Sequence, residues 1–152
     1  MFFFSKSNDV LMPTSDVTPN GLATASCIRE DNVILGGDVL VIRISNQIIN
    51  GTFLSYYITQ NRKQVMQLVS GSTVYHLYGS DMSKFVLSYP KIEEQNLIVQ
   101  TLSDMDALIQ ALEKKIIKKK YIKKGVMQKL LTPNEDWEVK ILGELAEFYK
   151  GR

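Results

Sequence analysis

Apolar residues at Ile98, Leu102, Met105, Ile109, Leu112 and Ile116 recur in alternating steps of four and three. That is the repeat of a helix that packs along another helix, so the seam implies a partner. The boundaries are written beside it. Pro90 pushes the preceding residue out of helical geometry, and Glu93 and Glu94 set negative charge at the positive end of the helix dipole. At the far end Lys123, Lys124 and Lys129 suit the negative end, and Pro133 stops propagation. A helix over 92–131 would span roughly 60 Å at about 1.5 Å per residue.

Before it the pattern changes to short mixed elements. Lys6–Met12 reads as a strand and Pro13–Gly21 as a series of tight bends. Ala25–Ile28 and Val33–Leu35 read as short strands, and Val39–Ile44 as a β-branched run that would form one buried strand at the sheet centre. Asn50 can cap a helix carrying Phe53, Leu54, Tyr57 and Ile58. A second amphipathic turn holds Val65, Met66, Leu68 and Val69. Val74–Leu77 and Phe85–Leu87 read as two further strands separated by Gly79–Ser83. After Pro133, Trp137, Val139 and Ile141 alternate as a strand would.

The composition, 45% hydrophobic and 22% charged, includes no apolar run near the roughly 18 residues that cross a bilayer. Met1–Phe4 is too short for a signal peptide, so the expected location is the cytoplasm, with no membrane partner. One cysteine, Cys27, and one histidine, His76, give no disulfide and no zinc set, so no metal and no cofactor are expected. No phosphate loop, dinucleotide fingerprint or nucleophile elbow is present, so no catalytic residue is assigned. Asp104 and Asp106, two apart on a helix, point away from each other and cannot share a site. The net charge of +2 conceals eight lysines and no acid between Lys114 and Lys129. Those lysines suit a solvated helix face as well as phosphate contact.

Three separated blocks add a more specific signal: Pro90 with Glu93-Glu94-Gln95, then Leu102 with Asp104-Met105-Asp106, then Ile122-Lys-Lys-Gly-Val-Met-Gln-Lys-Leu-Leu-Thr132. In that order they closely resemble the central conserved region of the DNA specificity subunits of type I restriction-modification systems. The resemblance implies an α+β chain: a partial target recognition domain of mixed α/β structure over 1–90, a long coiled-coil-forming helix over 91–131, and a linker opening a second recognition domain over 132–152. It further implies that the first domain lacks its beginning. A non-catalytic subunit of this kind would bind double-stranded DNA, read part of a bipartite site, and dock modification (methyltransferase) subunits and, through them, restriction subunits. Its helix would pair within a homodimer or with a companion specificity fragment.

Specific DNA binding needs cationic and amide donors for phosphates and a few side chains at base edges, held on loops or strands. The candidates are Lys6, Thr14, Ser15, Asp16, Arg29, Arg43, Asn46, Gln47, Arg62, Lys63, Ser72 and Thr73. For each alone, ordinary surface placement is the simpler account. Two other classes fit the same residues: a coiled-coil adaptor that does not touch DNA, and a poorly folding remnant of a recombining gene cassette.

Overall fold

The computed structural model describes residues 3–45 and 48–151. The chain divides into two compact units, residues 1–105 and 106–152.

In the first unit the strands are short and all pairings are antiparallel. β1 (Phe3–Phe4) pairs with β5 (Ile34–Leu35), and β3 (Ser15–Asp16) pairs with β7 (Tyr75–His76). A three-stranded sheet places β2 (Val10–Pro13) between β4 (Ser26–Cys27) and β6 (Val39–Ile42). The sheet centre is therefore β2, and the β-branched run expected there is an edge strand. All four residues of β6 are half-buried. Its composition favours strand geometry, but depth is decided by what packs on each face. Leu40 and Ile42 lie against the core, whereas Val39 and Val41 alternate to the opposite face. Val10, paired on both sides, and Met12, paired with Leu40 of β6 alone, are both buried.

The strand expected over Lys6–Met12 begins later, because Asn8 takes a left-handed turn (φ 75°). Asn8 and Asp9 together stand opposite Ile28: the Asn8 N–H donates to the Ile28 carbonyl, and the Ile28 N–H donates to the Asp9 carbonyl, each at 2.9 Å. That two-against-one pairing is a bulge, which bends the strand start.

α1 (Pro19–Leu22) begins within the segment expected to be only bends, with proline at its start where no N–H is needed. α2 (Gly51–Gln60) is capped as expected: the Asn50 side chain accepts from the N–H groups of Thr52 and Phe53 at 2.9 and 3.2 Å. Its buried face carries Phe53, Leu54 and Ile58. α3 (Arg62–Met66) buries Val65, and α4 (Gly79–Met82) forms where only a connection was expected, burying Met82. Val10, Met12, Leu22, Ile58, Val65 and Leu77 are buried to 2% exposure or less and form one core. Each such side chain contributes about 1.5–3 kcal/mol of transfer free energy.

Phe85–Leu87 is not a strand. The Gln64 side-chain amide occupies both backbone groups of Val86, accepting from its N–H at 2.8 Å and donating to its carbonyl at 3.0 Å. A side chain thus stands where a neighbouring strand would, and Phe85 packs edge-on against Tyr57 with ring centroids 6.2 Å apart.

α5 (Ile92–Leu130) runs 39 residues and ends one short of the expected stop. Its later part belongs to the second unit, together with a 3-10 turn at Leu142–Glu144. The alternation of Trp137, Val139 and Ile141 does not become a strand; Val139 is 92% exposed, and no described strand lies beside it. Mixed α/β structure followed by a long helix is the class the pattern predicted.

Candidate nucleic-acid interface and the helix seam

Lys6, Arg29 and Arg43 gather around the bulge. The buried hydroxyl of Ser5 donates to the Glu30 carbonyl at 2.8 Å and accepts from the Val33 N–H at 3.0 Å, which holds the loop carrying Arg29 beside Lys6. Lys6 and Arg29 are exposed. Arg43 is already engaged. Its Nε and Nη2 donate to the Asp9 carboxylate at 2.9 and 2.7 Å, Nη2 donates to the Phe4 carbonyl at 2.9 Å, and the guanidinium lies 5.1 Å from the Phe3 ring centroid. The Arg43 hydrogen bonds hold the Asp9 carboxyl below the usual carboxylate range, against the opposing effect of burial and with help from the Lys6 N–H. This pair stitches three segments together, which leaves Arg43 few donors for a phosphate.

Ser15 and Asp16 on β3 and Arg62 and Lys63 on α3 belong to a second group, in which α1 packs on β3, β7 and α3 and β3 pairs with β7; Ser72 and Thr73 lie in the loop before β7. Ser70 and His76 bridge across a hairpin, exchanging bonds of 3.0 and 2.7 Å, so Ser72 and Thr73 sit exposed at its tip. Gly71 makes that tip with φ 109°, where a Cβ would lie 2.2 Å from the Val74 carbonyl oxygen. Asp16 is turned toward its own chain: one carboxylate oxygen accepts from the Thr18 N–H and hydroxyl at 2.6 and 2.8 Å, and these bonds lower its pKa. Thr14 is half-buried, with its N–H on the Asp38 carbonyl and its carbonyl accepting from Leu77. Arg62 and Lys63 are exposed on α3, lining a shallow recess with Gln60, Asn61, Gln64 and Gln67. Asn46 and Gln47 lie outside the described residues.

The helix seam meets solvent. In the first unit Ile98 is half-buried while Leu102 and Met105 are exposed; in the second, Ile109, Leu112 and Ile116 are each about half-exposed, at 53, 50 and 54%. Leu112 and Ile116 line a groove walled by Lys115, Lys119, Lys120 and Lys123. A further pattern was readable but missed. From Ile92 to Glu113 the helix carries five acids and no base; from Lys114 to Leu130 it carries eight lysines and no acid. The sign changes close to the middle of α5.

Among the described residues no group of three His, Cys, Asp or Glu could hold a metal ion, and no helix is long and apolar enough to cross a membrane.

The sequence pattern of the type I restriction modification DNA specificity domain matches residues 3–119. The chain belongs to that family. It is 27% identical over 135 residues to the type I restriction enzyme MjaVIII specificity subunit of Methanocaldococcus jannaschii, covering 78% of this chain and 32% of that protein. Its fold matches the crystal structure of the type I restriction-modification system S subunit from M. genitalium with a TM-score of 0.66 and 17% identity, over 84% of this chain and 34% of that one. The chain spans about a third of the length of either relative.

Proposed function

We propose that this chain is a non-catalytic DNA-reading segment of a type I restriction-modification complex: it binds one part of a bipartite target and docks modification subunits, which carry S-adenosylmethionine and the methyl transfer. The family match carries this reading, because it extends across both the α/β unit and the larger part of α5. DNA contact runs through Lys6 and Arg29 around the bulge, and through Ser15, Ser72, Thr73, Arg62 and Lys63 on the second group of elements. The lysines of α5 add phosphate attraction without sequence preference. Arg43 and Asp16 contribute by shaping the loops rather than by touching DNA.

α5 pairs antiparallel with a second helix of its kind. Its charge halves favour that arrangement, since an antiparallel twin lays the acidic half over the lysine half, whereas a parallel twin opposes like charges. A rigid rod suits the task, because half-sites on one face of a duplex recur at about 34–36 Å and the separation must not drift.

The test is retention on duplex DNA across salt. Affinity should fall steeply between about 50 and 200 mM salt. Replacing Arg62 and Lys63 by alanine should weaken it further with the fold intact. Affinity that ignores salt would defeat the reading, and failure to co-purify with a methyltransferase subunit would remove the docking part alone.

A further inference from the structure

Within the Pro90–Gln95 motif, Glu93 and Glu94 are exposed, but Gln95 is completely buried. Its amide ties three segments together. Oε1 accepts from the Asn50 N–H at 2.9 Å, while Nε2 donates to the Ile48 carbonyl at 2.9 Å and to the Pro90 carbonyl at 2.8 Å. The next residue adds a fourth strut: Asn96 Oδ1 accepts from Asn50 Nδ2 at 2.9 Å. Asn50 is also the cap of α2, so one residue joins the start of α2 to the start of α5.

From the sheet side a second amide grips the same loop. Left-handed Asn8 accepts from the Gly51 N–H at 2.6 Å and donates to the Ile49 carbonyl at 3.2 Å. The space is filled, since a Cβ on Gly51 would lie 2.5 Å from the Asn8 carbonyl oxygen and 2.8 Å from Cys27 Sγ. All of this lies inside the first unit.

We propose that Gln95 is a positioning residue: it locks the first turns of α5 to the loop before α2 and so fixes the direction in which the helix leaves the α/β fold. Only an uncharged side chain that both donates and accepts fits. Glutamate would bury a charge facing two carbonyls, and an apolar residue would take the side-chain partner from the Asn50 N–H and the Pro90 carbonyl. The glutamine in the motif is thereby explained apart from its two acidic neighbours, which serve the helix dipole. The consequence for half-site spacing rests on the function proposed above; the joint itself does not.

The experiment uses the full chain with Cys27→Ala and nitroxide labels on cysteines placed at the exposed Gln60 and Asp104, diluted with unlabelled chain, and reads the distance between labels by pulsed electron resonance. The parent should give a single narrow distance. Gln95→Met, which keeps the volume, should lose that narrow distance and give a broad distribution while retaining a cooperative melt; an unchanged narrow distance in folded Gln95→Met overturns the proposal. If Gln95→Met fails to fold, hydrogen exchange on the parent decides. The Asn50 amide should be protected like the amides inside α2, and exchange as fast as at Ser72 overturns the proposal.

Discussion

Asp9 shows how one ion pair fixes a loop start. Its carboxylate is 1% exposed and meets the Arg43 guanidinium at 2.7 Å. Because the folded-state pKa lies below the ordinary value of about 3.9, the pair contributes stability above that value and loses it as pH falls through the folded value. Urea midpoints should therefore drop on acidification below about pH 4. Asp9→Asn should cost about 1–3 kcal/mol at neutral pH and flatten that acid limb; an unaltered limb would mean that other carboxylates govern it. Gly51 is a second such residue. Gly51→Ala must displace Asn8 or Cys27, and thermal melts should report a loss of about 1–3 kcal/mol. Neither effect was legible in the sequence. Arg43 read as a phosphate donor, because its contact with Asp9 joins residues far apart in the chain, as does that of Gly51 with Asn8, and no local pattern encodes either.

Among elements, those whose cause is local were legible. The capping of α2 by Asn50 and the bounds of α5, set by proline and by charge at each end, follow from residues within a turn or two. Elements decided by distant partners were not: the depth of β6 depends on what covers its faces, and Phe85–Leu87 lost strand pairing to a glutamine from α3. Among the candidate polar positions Lys6, Arg29, Arg62, Lys63, Ser72 and Thr73 are exposed, but their division into two groups was not legible, because only the packing of distant elements defines it. One local weakness in α5 remains. Gly125 is exposed, and nothing lies within 4 Å of where its Cβ would stand. Gly125→Ala should stabilise the last turns of α5 by about 0.5–1 kcal/mol, visible as greater helical ellipticity on heating; no gain would mean these turns are already held by a partner.

At the scale of the whole molecule, α5 leaves much apolar surface exposed. Ile109, Leu112, Ile116, Ile117, Ile122, Val126 and Leu130 are all about half-exposed or more. A helix without packing is marginal in water whatever its propensity, so a stable α5 requires its seam to be covered. The repeat reads as a seam for a partner, and under the function proposed above the charge halves favour an antiparallel twin over a parallel one. Sedimentation at micromolar concentration should show association that weakens as salt rises, because the charged flanks lie at the rim where ions screen them. Leu112→Asp with Ile116→Asp should abolish association and with it much of the helical signal, while aromatic near-ultraviolet dichroism from the Phe53, Tyr57 and Phe85 cluster persists. A parent chain that sediments as a fully helical monomer would show that α5 stands without a partner and would remove the physical basis for a paired spacer.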